Sequence, residues 1–165
     1  MYAVITGASS GIGEQFAKRL ANEGYDLILV ARRRERLTAL SDKLKAMHKE
    51  LECDIFTADL MQLDECQRLS DYLEEKDIEI FINNAGYGDC GLFEETDIAK
   101  EMGMIDVNVR AVHFLTKKLL RQMRVKDRGF ILNVASSAGL IPAGPYMAAY
   151  YASKAYVASL SRAVA

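Results

Sequence analysis

Cysteine is scarce in this chain. Cys53, Cys66 and Cys90 are odd in number and show no C-x-x-C spacing, so neither a disulfide framework nor a zinc site is expected. Reduced thiols in a cytoplasmic protein are the plain reading. An excess of one charge is also missing: 21 basic residues against 23 acidic ones leave a net charge of −2, which argues against binding nucleic acid by phosphate neutralisation. No basic leader precedes the first apolar run, which starts directly after Met1, so no secretory signal is expected. Gly129 to Ser153 carries no charge and is long enough to span a bilayer. Pro142, Pro145, the glycines and the polar Asn133, Ser136 and Ser137 interrupt it, and no membrane partner is expected. There is no internal repeat, low-complexity tract or linker.

What is present is an alternation of apolar runs. At 165 residues, half of them hydrophobic, the chain has the length of one domain with a substantial core. Asp26 to Ala31 is almost wholly apolar, as strands buried on both sides of a parallel sheet are. Further strands are predicted at Ala3–Thr6, around Leu51 to Ala58, at Ile78–Ile82 and at Phe130–Val134. Between them lie helical periodicities: Ile12, Phe16 and Leu20, with a stop near Gly24; Leu37, Leu40, Leu44 and Met47; Leu63, Cys66, Leu69 and Leu73. Ile98 to Arg124 reads as a helix with a break, and a last helix begins near Ala148. This alternation predicts an α/β fold with a Rossmann-type doubly wound parallel sheet and helices on both faces.

The first strand runs into Thr6-Gly7-Ala8-Ser9-Ser10-Gly11-Ile12-Gly13, which opens the first helix. Glycines there allow a tight turn and a close ligand approach, and the helix N-terminus offers unpaired N–H groups and partial positive charge. A pyrophosphate fits that chemistry, although the spacing is G-x3-G-x-G and not G-x-G-x-x-G. A bland βα turn would use the same residues.

Taken whole, this segment resembles the cofactor motif of the short-chain dehydrogenase/reductase family. Asn83-Asn84-Ala85-Gly86, then Asn108, then Ser137 with Tyr150-x-x-x-Lys154 follow in the family's order across the chain. The resemblance implies cofactor contacts at Gly7, Ser9, Ser10, Gly11, Ile12, Gly13, Asn83, Ala85, Tyr150 and Lys154. It implies adenine contacts at Asp59 and Leu60, where an Asp capping the next helix is the competing account. Members of the family continue past the helix at Tyr150 through further strands, so residues 1–165 are expected to be one dinucleotide-binding domain, truncated within the catalytic helix.

At the end of the second strand, an NAD-selective fold would place an acid on the ribose 2′-hydroxyl. Arg32 and Arg33 stand there instead and suit a 2′-phosphate, hence NADP(H); the alternative is solvated arginines paired with Glu35 and Asp42. The resemblance casts Tyr150 as acid/base, Lys154 as the charge that lowers its pKa, Ser137 as the group that fixes the reacting oxygen, and Asn108 as the holder of a water in the proton path. Tyr151 also lies within reach of Lys154, and the family interval selects Tyr150. His113 reads as a packed helix residue and His48 as exposed; neither receives a role, and no metal is expected.

The expected activity interconverts a carbonyl and a secondary alcohol by hydride transfer. The apolar Tyr87–Phe93 and Leu140–Met147 stretches suggest a small uncharged substrate. A homodimer or homotetramer is expected, paired through Ile98–Arg124 and Tyr150 onward. A non-catalytic dinucleotide-binding or sensor protein on the same fold is the alternative. An epimerase or dehydratase of related fold is weaker, since nothing suggests a sugar-nucleotide site.

Overall fold

Five short apolar runs form β1 (Tyr2–Thr6), β2 (Asp26–Ala31), β3 (Cys53–Thr57), β4 (Ile78–Asn83) and β5 (Phe130–Asn133) in a computed structural model that describes every residue except Pro142. Pro142, one of the residues interrupting the uncharged run, lies outside the described residues. All pairings are parallel and the strand order is β3-β2-β1-β4-β5. The order reverses at β1, between β2 on one side and β4 on the other. Such a switch point leaves a crevice at the carboxyl ends of the strands, where ligands of this architecture bind.

The strands alternate between two cores. Val4, Ile28, Val30 and Phe81 point to one face and meet Leu69 and Leu73 of α3 (Leu63–Glu74) and Leu115 and Leu119 of the helix after β4. Ala3, Ile5, Leu27 and Leu29 point to the other face, against Ala17 and Leu20 of α1 (Gly11–Asn22) and Leu37, Leu40 and Leu44 of α2 (Arg34–Met47). A period of two with both faces apolar explains why these strands read as continuous hydrophobic runs. β5, one of the two edge strands, is the exception: its Phe130 and Leu132 are exposed.

The helical periodicities hold in their middles and fail at their ends. Met47 and Leu63 stand at helix termini and are exposed, beyond the reach of the sheet. Ile12 is exposed because it faces the crevice, not the core. The break expected between Ile98 and Arg124 is real. α4 (Ile98–Ile105) passes through a π-helical turn (Asp106–Ala111) into α5 (Val112–Lys126). Such a turn adds a residue to the helix and re-aims its side chains, and is often found at functional sites. After β5, a 3₁₀ turn (Ser137–Gly139) leads to α6 (Ala148–Val164), which packs against that turn, the π turn and α4. Among the described residues no helix is long and apolar enough to cross a membrane. The three cysteines are free, with Cys53 and Cys66 buried and Cys90 exposed.

Both histidines differ from expectation. His113 is exposed, not packed, and its Nδ1 lies 2.6 Å from the Tyr156 hydroxyl, joining α5 to α6. His48 is half-buried, and its Nε2 has no hydrogen-bond partner among the described residues.

Candidate active site

A cavity of about 450 Å³ occupies the crevice at the switch point. It runs from Arg32 and Arg33 at the end of β2, past the glycine loop, to Tyr150 and Lys154 on α6.

The glycine loop is shaped by close packing. Gly7 and Gly11 take positive φ (68° and 60°), which only glycine adopts freely. Gly13 has ordinary φ but no room for a Cβ: one would lie 2.5 Å from Asn84 Nδ2 and closer still to Gly7 O. α1 is therefore seated directly on the loop. Its N-cap Ser10 makes no side-chain bond to the helix, so the first N–H groups are not capped by the chain itself. Ser9, Ser10 and Ile12 line the cavity at this positive helix end. Arg33 reaches across and donates from Nη2 to Ser9 Oγ (3.0 Å) and Ser10 Oγ (3.1 Å). Neither Arg32 nor Arg33 forms an ion pair with Glu35 or Asp42 among the described residues. Arg32 is exposed at the cavity edge.

Thr6 fastens β1 to β4. Its hydroxyl donates to Ile82 O (3.2 Å) and accepts from the Asn84 and Ala85 N–H groups (2.9 and 3.0 Å), while Asn84 Nδ2 donates to Thr6 O (2.9 Å). Asn84 and Ala85 line the cavity; Asn83 does not. The Asn83 side chain is buried and donates to Thr116 Oγ1 (3.1 Å) and Asn133 Oδ1 (2.8 Å), tying β4 to α5 and β5. Alternation along the strand end turns the two asparagines in opposite directions, so the pair reads as one motif in sequence yet splits between core and cavity. Asp59 and Leu60 both line the cavity; Asp59 accepts the Met61 N–H through Oδ1 (3.2 Å) in a local turn and does not cap α3, whose N-cap position is Gln62.

Asn108 lies in the π turn with no exposed surface. Its Oδ1 accepts from Tyr87 N (3.1 Å), and its Nδ2 donates to Tyr87 O (2.9 Å) and Ser153 Oγ (3.1 Å). It thus pins the loop after β4 to α6 from behind the cavity. Gly86 is required beside it, because a Cβ there would meet Asn108 Oδ1 at 2.6 Å.

On α6, Tyr150 and Lys154 face the cavity one turn apart. The Tyr150 ring packs on Gly88, within 3.1 Å of where a Cβ would stand. Lys154 is buried; its Nζ donates to Val134 O (2.8 Å) and lies 6.0 Å from the Tyr150 ring centre. Burial pushes the Lys154 ammonium below its ordinary pKa. Tyr151 instead sets its hydroxyl beside Gly144, away from the cavity lining. Ser137 is exposed and outside the cavity lining. It opens the 3₁₀ turn, whose Gly139 packs against the Lys154 carbonyl group. Ser136 spends its hydroxyl on that turn, accepting from Ala138 N (3.2 Å).

Met61 and Val134 line the cavity as well, and no motif in the sequence marks them, whereas Tyr87, also in the lining, opens the Tyr87–Phe93 stretch expected near the substrate. Among the described residues no three His, Cys, Asp or Glu side chains gather as a metal site.

The whole of this arrangement has relatives. A very-long-chain 3-oxoacyl-CoA reductase-like protein of Arabidopsis thaliana is 33% identical over 99% of this chain and 53% of its own length. A bulky-bulky ketone specific alcohol dehydrogenase from Comamonas testosteroni superimposes with a TM-score of 0.94 at 34% identity, over 99% of this chain and 65% of that one. A short-chain dehydrogenase from Sphingobium yanoikuyae, solved in complex with NADPH, gives 0.93 at 34% identity, over 99% and 63%. The chain spans about half the length of the protein relatives it matches. The family model described as short chain dehydrogenase matches residues 1–165, and the chain belongs to that family.

Proposed function

We propose that the protein is an NADP(H)-dependent oxidoreductase that interconverts a carbonyl and a secondary alcohol, with Tyr150 as its acid/base. One observation carries the reading: Tyr150 and Lys154 share a single cavity with the uncapped N-terminus of α1 and with Arg32 and Arg33. The NADPH and NADP complexes among the similar structures agree with it.

The residues present fit a dinucleotide. The α1 N-terminus, Ser9 and Ser10 would hold the pyrophosphate, and the absence of room at Gly13 keeps the helix end close to it. Arg32 and Arg33 would hold a 2′-phosphate. When bound, the nicotinamide supplies or accepts the hydride. Lys154, desolvated and fixed on Val134 O, sets its ammonium group 6.0 Å from the Tyr150 ring centre, on the same side of the cavity. Tyr150 can then give a proton to a developing alkoxide, or take one from an alcohol. Asn108 keeps the Tyr87 loop and α6 in register; Ser137 stands outside the cavity lining, and its assignment to the reacting oxygen rests on the family motif alone. Self-association through α4, α5 and α6 belongs to the same proposal. Ile98, Met102 and Ile105 leave an exposed apolar stripe on α4, and sedimentation showing only monomer at micromolar concentration would refute it.

The test is consumption of NADPH by the full-length protein with a panel of ketones and aldehydes. Turnover that is lost in Tyr150→Phe and retained in Tyr151→Phe supports the reading. Tight NADPH binding without any turnover points to the non-catalytic dinucleotide binder.

A further inference from the structure

Several lysines of this chain are held by an acid: Lys18 by Glu14, Lys76 by Asp54, Lys100 by Asp89 and Lys126 by Asp77. Hydrogen bonds to Asp54 and to Asp89 keep Lys76 and Lys100 above the ordinary lysine pKa. Lys154 is the opposite case. It is 7% exposed, enters no ion pair among the described residues, and donates from Nζ to the neutral Val134 O at 2.8 Å. Burial, with no opposing charge, pushes its ammonium below the ordinary value. A buried, unpaired ammonium is a costly state, so the amine sheds its proton more readily than a paired lysine does. The neutral amine still has two N–H groups. One suffices for Val134 O, and the lone pair is left to act as a nucleophile.

Room for an electrophile lies in front of that amine. Lys154 lines the same cavity of about 450 Å³ as Ser9, Ser10 and Ile12 at the positive end of α1, where the first N–H groups have no side-chain cap. Beside Nζ the loop after β4 is bare backbone: a Cβ built on Gly86 would stand 3.7 Å from it. The other titratable groups of the lining are Arg32, Arg33, Asp59, Tyr87 and Tyr150. Arg33 is engaged by Ser9 and Ser10, Asp59 by Met61 N and the Tyr87 hydroxyl by Lys100 O. The Tyr150 ring centre is 6.0 Å from Nζ. One cavity therefore holds an amine without a counter-ion and an end that attracts anions.

We infer that Lys154 is a covalent capture site for aldehydes, above all for those carrying a phosphate, and that a bound dinucleotide shields it. The Nζ lone pair forms a bond to the aldehyde carbon while the carbonyl π pair moves onto oxygen, which takes the proton that nitrogen gives up. The resulting carbinolamine loses its hydroxyl with the remaining nitrogen proton as water, and leaves an imine. Nothing is oxidised or reduced, and the step reverses with water. A phosphate on the aldehyde would lie at the α1 end of the cavity and raise the local concentration of the reagent. The inference rests on the proposed function in one respect, that the dinucleotide fills this cavity. Its consequence is a dependence on order: aldehyde that meets the empty protein blocks the cavity, whereas aldehyde that meets the loaded protein cannot reach the amine.

The experiment treats the full-length protein with limiting pyridoxal 5′-phosphate, fixes the imine with borohydride and maps the labelled peptides by mass. NADPH binding is measured separately by fluorescence. Lys154 should be labelled ahead of the exposed lysines, and the labelled protein should lose NADPH binding. NADPH present at about ten times its Kd should slow the labelling of Lys154 about tenfold and leave the surface lysines unaffected. Pyridoxal, which has the aldehyde without the phosphate, should label Lys154 about three- to tenfold more slowly, with the gap narrowing as salt is added. Label spread over the exposed lysines with no excess at Lys154 overturns the capture site. Equal rates for the two aldehydes overturn the preference for a phosphate. Labelling of Lys154 that NADPH binds without slowing overturns the shield. NADPH binding with no label at Lys154 defeats this inference and spares the proposed function, whereas label at Lys154 in a protein that binds no NADPH does the reverse.

Discussion

Gly11 and Gly13 sit two residues apart in one loop, and replacing each by alanine should fail for different reasons. At Gly11 there is open space where the Cβ would go, but φ is 60°. The left-handed conformation costs an L-residue about 1–2 kcal/mol, and the stiffer unfolded chain returns about 0.4–1, so Gly11→Ala should lose about 1 kcal/mol. At Gly13 the backbone is ordinary and the space is absent. Its Cβ would stand 2.5 Å from Asn84 Nδ2 and 2.8 Å from Gly7 C, against the roughly 3.5–4.0 Å of normal carbon contacts. Carbonyl and helix are both backbone, so relief requires α1 to lift off the loop. Overpacking costs about 1–3 kcal/mol, and displacing Asn84 from Thr6 O adds about 1 more. Gly13→Ala should therefore lose about 2–4 kcal/mol, a large part of a typical domain's stability. Urea unfolding gives the stabilities and fluorescence titration the NADPH affinity. Gly13→Ala should weaken the cofactor far more than Gly11→Ala. Equal stability loss for the two variants would refute the assignment of conformation to one glycine and contact to the other.

Tyr150→Phe should reduce turnover by about 10²–10⁴-fold while Tyr151→Phe costs little, measured as NADPH consumption; the reverse order would put the wrong face of α6 in the cavity. Arg32→Ala and Arg33→Ala should each weaken NADPH by about 1–3 kcal/mol and leave NADH nearly untouched, with Arg33→Ala also freeing Ser9 and Ser10. Asn108→Ala strips partners from both polar groups of the Tyr87 backbone and should lower the thermal midpoint as well as activity, by about 2–4 kcal/mol of stability in a urea titration. Burial pushes the Asp54 carboxyl up, but hydrogen bonds from Lys76 and Tyr72 outweigh it and hold the group below its ordinary value. Its stabilisation is therefore complete above about pH 4, the unfolded value, and is lost as pH falls through the lower folded value. Asp54→Asn should flatten the acid limb of stability against pH, and an unchanged slope would count against the pairing.

Much of this protein was legible in the order of its residues. Apolar runs of four to six residues separated by helical periods dictate buried parallel strands, because only a sheet covered on both faces hides such runs. β2 at Asp26–Ala31 matches its expected span, and the other strands differ by one or two residues at their ends. The glycine loop and the Tyr150–Lys154 spacing could be read because both are local: a turn and one helical turn fix their geometry within a few residues. Tertiary packing decided the rest. It placed Asn84 in the cavity and Asn83 in the core, made a π turn of the break around Asn108, and left Ser137 outside the cavity lining. It turned His113 outward to Tyr156 and Arg33 inward to Ser9 and Ser10. For all of these except Ser137 the deciding partner lies more than twenty residues away in the chain. Sequence spacing constrains neighbours on one element, but which of two adjacent side chains meets a distant partner depends on how the sheet and helices close against one another.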